Sequence, residues 1–326
     1  MPRPNPRTAP ALAAAALLLA ATACSSQGGR SEPAADGADA PELTIAMITH
    51  QVQGDTFWDI VRTGAEAAAD KSGATLEYAA DPEASEQANL VQNAVDRGVD
   101  GIALTLSSPD AMAGAVDAAT EAGIPVVALN AGMDQWQDMG VQQYFGTDEH
   151  LAGEAFGERL AEEGAQNVVC VIHEQGNVSL EARCEGLAEG FGGESDILYV
   201  DSANMPEVRS TISSRLEESA DIDHVAALGA PIAVTAVDAV ADAGSEAVVS
   251  TFDTNAELVE LIRAGDVAWA VDQQPYLQGY LAVDSLWLYN TNGNTIGGGE
   301  AVLTGPAFID EGNIDQVAEY AERGTR

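Results

Sequence analysis

Residues equipped for chemistry fall in a few short clusters along this chain. His50, Gln51, Gln53 and Asp55 run into Phe57-Trp58, and Asn130 stands apart. His173, Glu174 and Asn177 are followed by Arg183. Asp201 and Asn204, Asp253-Thr254 and Gln273-Gln274 come later. Planar carboxylate, amide and guanidinium groups bind neighbouring hydroxyls in pairs, and an aromatic face packs on the C–H surface of a ring. This mixture suits a neutral, polyhydroxylated ligand. Catalytic signatures are missing: there is no Gly-x-Ser-x-Gly elbow, Walker A loop or GxGxxG fingerprint. Asp55 and Asp253 are the residue types of a glycosidase pair, but the sequence does not set their separation. With no CxxC pair, no HExxH and four scattered histidines (His50, His150, His173, His224), a zinc site is not expected. Gly297-Gly298-Gly299 follows no strand and lacks a Lys-Ser/Thr, so it reads as a loop.

Plainer roles stay open for each residue. Asp55 is a natural cap for a helix starting at Thr56 or Phe57. Phe57 and Trp58 point about 100° apart on a helix, so at most one is expected squarely in the core and the other in a cleft. Asn130 suits a turn, and Arg183 a solvated helix face. Asn177-Val178-Ser179 matches a glycosylation triplet by chance.

The clusters matter because of the elements that would carry them. Short apolar runs alternate with amphipathic segments from residue 43. Strands are expected at 43–49, 75–80, 101–106 and 125–130, with helices at 57–71, 83–97 and 110–122. After Thr147-Asp148 the rhythm restarts, with helices at 149–163, 179–190, 207–219, 232–243 and 256–264. Strands lie between them at 167–173, 196–201, 224–228, 247–252 and 267–272. A helix at 276–289 and a tail with strands at Val302-Leu303 and Phe308-Ile309 and a helix at 314–322 follow. Unbroken apolar runs mean strands covered on both faces, hence parallel sheets. So many βα units divide naturally into two doubly wound α/β lobes. Ligands of such sheets bind beyond the carboxyl ends of the strands, where the clusters above fall.

Composition sets limits. The chain has 326 residues with 13 Lys+Arg against 52 Asp+Glu, a formal charge of −39. Nucleic-acid binding needs a basic footprint and is excluded. The 46% apolar content suffices for a core. Lys71 is the sole lysine, a pattern that GC-rich coding or adaptation to external salt would each produce.

Arg3 and Arg7 precede an apolar run from Ala11 to Ala21, then Ala21-Thr22-Ala23-Cys24. This reads as a secretory signal over residues 1–23, too short to span a membrane. The small residues before Cys24 resemble a bacterial lipobox, in which that cysteine becomes the lipidated N-terminus. Residues 24–42 read as a flexible tether. Outside the cytoplasm Cys170 and Cys184 are either bridged or two buried thiols.

From Leu43 to about Phe308 the chain resembles the type I periplasmic sugar-binding proteins, the ribose-binding-like receptors of ABC importers. Carrying the resemblance are Asp55-Thr56-Phe57-Trp58, Ala122-Gly123-Ile124-Pro125-Val126-Val127 with Asn130, and Gly146-Thr147-Asp148. Arg183-Cys184-Glu185-Gly186, Thr251-Phe252-Asp253 and Asp272-Gln273-Gln274-Pro275 with Gln278-Gly279 complete it. The resemblance implies two parallel-sheet lobes joined by a three-segment hinge, 43–147 plus 275–304 and 148–274 plus 305–326. It implies stacking by Phe57 and Trp58, and hydroxyl binding by Asp55, Asn130, Arg183, Asp253 and Gln273. Ala131, Gly229 and Thr105-Leu106 depart from polar residues of ribose-type receptors, which argues against ribose and for another sugar or a sugar alcohol. His50, His173 and Asn177 are candidates to replace the lost contacts.

The expected partners are a small neutral carbohydrate or polyol, ABC permease subunits, and the membrane through the N-terminal lipid on the extracytoplasmic face. No nucleic acid, cofactor or metal is implied, and the chain is expected to act as a monomer. Rival readings are a chemosensory receptor with the same cleft and, more remotely, an extracytoplasmic glycosidase. A LacI-type repressor shares the lobes but needs an N-terminal helix-turn-helix where this chain has a signal segment.

Overall fold

In the computed structural model, which describes residues 42–326, two six-stranded sheets are each sandwiched between helices. The signal segment, Cys24 and nearly all of the tether expected from sequence lie outside the described residues. The first sheet contains β1 (Thr44–Thr49), β2 (Thr75–Ala80), β3 (Gly101–Leu104), β4 (Val126–Asn130), β5 (Tyr144–Gly146) and β11 (Val302–Leu303), in the order β11-β5-β4-β3-β1-β2. The second contains β6 (Asn167–Ile172), β7 (Glu194–Tyr199), β8 (His224–Ala227), β9 (Val248–Phe252), β10 (Trp269–Asp272) and β12 (Ala307–Asp310), in the order β12-β10-β9-β8-β6-β7. The two orders are the same once corresponding strands are matched. Every neighbouring pair is parallel except β10 with β12.

Alternate residues of the inner strands enter different cores. In the first lobe Ala46, Ile48, Ile102, Leu104, Val126 and Ala128 pack on α2 (Ala84–Arg97) and α3 (Pro109–Glu121). Ile45, Met47, Ala103, Val127 and Leu129 face α1 (Thr56–Ser72) and α9 (Pro275–Asn292). In the second lobe Val169, Val171 and Val225 face α6 (Met205–Glu218), α7 (Ala230–Ala243), α8 (Ala256–Ala264) and α10 (Ile314–Glu322). Cys170, Ile172 and Ala226 face α4 (Glu149–Glu163) and α5 (Val178–Phe191). This two-sided burial is what the unbroken apolar runs required.

A disulfide joins Cys170 of β6 to Cys184 of α5. Helices α4 and α5 pack closely because Gly153 lies against the Arg183 carbonyl and Gly186 against the His150 carbonyl, where a Cβ would collide with backbone. Two details differ from the sequence reading. Tyr144–Gly146 forms a strand the apolar pattern did not single out, because three residues ending in glycine carry no periodicity. The strand expected at 101–106 stops at Leu104, and the Thr105 side chain turns to His50 and Gln87.

Candidate functional site

A cavity of about 170 Å³ lies between the lobes, at the carboxyl ends of the parallel strands. One buried water needs roughly 10–15 Å³ by the same measure, so this space holds a small organic molecule. His50, Asp55, Phe57, Trp58 and Asn130 line it from the first lobe, His173, Asn177, Arg183 and Asp253 from the second, and Gln273 from the crossover after β10. All ten residues proposed from sequence are thus brought to one cavity. Glu174, Met205 and Ser202 also line it. Glu174 was legible as a residue following a strand, whereas Met205 and Ser202 carry no sequence signal for a polar site.

The first-lobe wall is the entry to α1. Asp55 caps that helix, its Oδ1 accepting from the Phe57 N–H at 3.0 Å, and also faces the cavity, so the capping and binding readings hold together. The expectation that only one of Phe57 and Trp58 would join the core is corrected. Both are buried, both belong to the cluster under α1, and both line the cavity. The first helical turn lies at the sheet's end, where the core surface and the cleft surface meet. The two rings pack edge to face at 5.0 Å, and Trp58 packs likewise on His50 at 4.8 Å.

Backbone geometry singles out the strand ends. Among the described residues the non-glycine positions with positive φ are Asn130 (65°), Asp253 (64°) and Gln274 (56°). Asn and Asp visit this region most easily, and such residues concentrate where surrounding structure over-determines them. The Tyr144 hydroxyl donates to the Asn130 carbonyl at 2.7 Å, and Gln273 Nε2 donates to both Asp253 oxygens at 3.0 and 2.9 Å.

Burial shapes the electrostatics. It lowers the His50 pKa, against the opposing pull of Glu174, and takes His173 down to about 4. Both rings are therefore neutral at pH 7 and act as hydrogen-bonding groups. Burial lifts Asp55 to about 7, Glu174 adding to the rise, and pushes Asp253 well above the usual carboxylate range despite Arg183. Arg183 is itself held on three sides. Its Nε donates to Glu149 Oε2 at 2.6 Å, its Nη1 to the Leu228 carbonyl at 3.1 Å, and its plane lies 4.3 Å from the Phe252 ring centre. Gly229 leaves the space next to it to the His173 ring, which a Cβ there would meet at 3.4 Å.

The lobes are shut on this cavity. The Val178 N–H donates to the Ser107 carbonyl at 3.1 Å, and Asn255 Nδ2 to Thr56 Oγ1 at 3.2 Å. His50 reaches across to Asn177 (3.4 Å) and Glu174 (3.5 Å), while its Nδ1 meets Thr105 Oγ1 at 2.7 Å. The tautomer in which Nε2 accepts from Asn177 places the ring proton on Nδ1, facing Thr105.

A family model described as a periplasmic binding protein domain matches residues 45–294. The xylose/arabinose-binding protein of Sulfolobus acidocaldarius is 26% identical over 244 residues, covering 69% of this chain and 60% of that relative. The ribose import binding protein of Bacillus subtilis is 23% identical over 275 residues, covering 82% of this chain and 88% of the relative. Among solved structures, a carbohydrate transporter from Acidothermus cellulolyticus in complex with myo-inositol is 55% identical, with a TM-score of 0.87, covering 88% of this chain and 100% of that one. A solute-binding protein from Agrobacterium vitis with bound D-fucose is 28% identical, with a TM-score of 0.76, covering 86% of this chain and 99% of that one.

Proposed function

The chain belongs to the periplasmic binding protein domain family, and from that premise we propose that it captures a cyclic polyol, myo-inositol or a close stereochemical relative, for an ABC importer. It is a binding protein and not an enzyme, as its relatives are. The observation that carries the ligand class is the 55% identity, over the whole of its length, to a protein holding myo-inositol. The cleft supports that reading: two adjoining aromatic rings, three carboxylates and four amides meet in one cavity with a single arginine. In this reading Phe57 and Trp58 pack on the C–H faces of the ring. Asp55, Asn130, Arg183, Asp253 and Gln273 divide its hydroxyls, with His50, His173 and Asn177 completing the shell.

Capture is by closure of residues 43–147 plus 275–304 against 148–274 plus 305–326 about the crossovers. A ligand favours closure only as far as it binds the closed form better than the open one. The closed form then delivers the polyol to the importer's membrane subunits. We place the protein outside the cell membrane, its signal segment removed after residue 23, held as a monomer by lipid on Cys24 through the 24–42 tether.

A thermal-shift panel of myo-inositol, other inositols, ribose, arabinose, fucose and galactose tests this. A ligand present at 100 times its Kd stabilises by about 2.7 kcal/mol. An inositol should give the largest shift. No shift with any inositol would overturn the ligand assignment, and no shift with any member would overturn the polyol-receptor reading.

A further inference from the structure

Resting on the reading of the cleft as a polyol site, we propose that Glu149 is its positioning residue: it fixes the Arg183 guanidinium so that the free edge addresses the ligand and stays off Asp253. Glu149 does not line the cavity; Arg183 does. Glu149 opens α4 and is buried, and its Oε2 accepts from Arg183 Nε at 2.6 Å. It lies four residues, one helical turn, before Gly153 on the same face. Gly153 is the point where α4 meets the Arg183 backbone, so the glycine contact sets the distance over which the ion pair forms.

Of the five guanidinium N–H donors, the Nε proton goes to Glu149 and one Nη1 proton to the Leu228 carbonyl. The Phe252 ring covers one face. The remaining donors belong to the edge on the cavity. Asp253 is the other carboxylate that attracts Arg183, and it lines the cavity. With Glu149 removed, Asp253 is the carboxyl group left to attract Arg183. A guanidinium drawn to Asp253 would use up two ligand-binding groups on each other. Glu149 therefore keeps a guanidinium and a carboxyl group side by side in one cleft, both open to hydroxyls, which is the preorganisation that bidentate recognition needs.

The test has a ligand-free arm and a binding arm, each run on wild type, Glu149→Ala and Glu149→Gln. Glutamine keeps an acceptor for Nε and serves as the folded comparison if the alanine variant is unstable. In ¹⁵N-edited spectra without ligand, the Arg183 Nε–H, identified by its loss in Arg183→Lys, should exchange slowly with water in wild type. It should exchange much faster in Glu149→Ala, with Glu149→Gln between. Calorimetry with myo-inositol should show Glu149→Ala binding weaker by on the order of tenfold to a hundredfold. Added to Arg183→Ala, the same substitution should cost nothing more. Unchanged exchange, unchanged affinity, or a loss that adds fully to that of Arg183→Ala would overturn the proposal. If wild type binds no inositol, the ligand assignment fails while the exchange rates still decide the role of Glu149.

Discussion

Removing Arg326 should destabilise the protein through a residue far from it in sequence. Asp272 ends β10 with its side chain fully buried, and Arg326 Nη2 lies 2.5 Å from its Oδ2, an ion pair rather than an aligned hydrogen bond. The Gln274 N–H donates to the other oxygen, Oδ1, at 2.9 Å. Burial raises the Asp272 pKa, against the pull of Arg326. Breaking a fully buried pair costs about 3–5 kcal/mol. Arg326 is 28% exposed and Asp272 keeps one donor, so we expect about 2 kcal/mol for Arg326→Ala. For a domain of this size that is roughly 4–8 °C in Tm.

The sign with pH is fixed. Without the arginine the Asp272 pKa rises further, so the folded protein holds a proton there that the unfolded chain has released. The penalty is full where Asp272 is ionised in the folded state and disappears as pH falls through its raised pKa towards the ordinary value of 3.8. Melting curves without ligand, taken from about pH 8 down to about pH 4, should show a wild-type–variant gap that is widest at the alkaline end and closes on acidification. In Asp272→Asn the same arginine substitution should cost little. A gap that is constant with pH, or one that persists undiminished in the asparagine background, would refute the reasoning.

Three other outcomes follow from the same structure. Replacing Cys170 and Cys184 together by alanine opens a loop of 14 residues and should cost about 3 kcal/mol, seen as a lower denaturant midpoint that reducing agent reproduces in wild type. Asp253→Ala should abolish myo-inositol binding in calorimetry while far-UV circular dichroism stays unchanged; normal binding would remove Asp253 from the site. The Tm should climb as NaCl is raised from about 0.1 to 1 M, because salt screens repulsion among surplus carboxylates. A flat or falling Tm would leave genome composition as the account of the lone Lys71.

The sheets were legible because their strands are short apolar runs with turns between them, and the inner strands of each sheet are covered on both faces, while the edge strand β7 leaves Ile197 and Tyr199 exposed. Tyr144–Gly146 escaped because its strand character comes from pairing between β4 and β11, which no local pattern encodes. The position of the cleft was legible from the rule that ligands sit beyond parallel strand ends, which put His50, Asn130, His173 and Asp253 in one place. Glu149 was not. In sequence it is an acid at a helix N-terminus, a common surface arrangement. Its partner Arg183 is 34 residues away, and only the close packing of α4 on α5 joins them. Nor does sequence show that Phe57 and Trp58 both serve core and cleft, since that depends on where the helix axis meets the sheet's edge.

The matched strand orders give the cleft an internal logic that neither lobe has alone. His50 follows β1 as His173 follows β6. Asp55 caps α1 as Asn177 caps α5, each accepting from the N–H two residues on. Asn130 ends β4 as Asp253 follows β9, with φ of 65° and 64°. The backbone positions repeat, but carboxylate and amide are exchanged between them, so each lobe brings one of each. A ring with a hydroxyl on every carbon offers similar groups to both sides and suits such a duplicated frame. Arg183 breaks the symmetry, for Val61 occupies the matching turn of α1 and packs in the core. Every other lysine and arginine among the described residues is also paired with a carboxylate. The one cation at the cavity is therefore held by an acid outside it, and phosphorylated or carboxylated polyols meet a wall whose other ionisable groups are acids and neutral histidines. In the function proposed above, that placement of charge favours uncharged ligands.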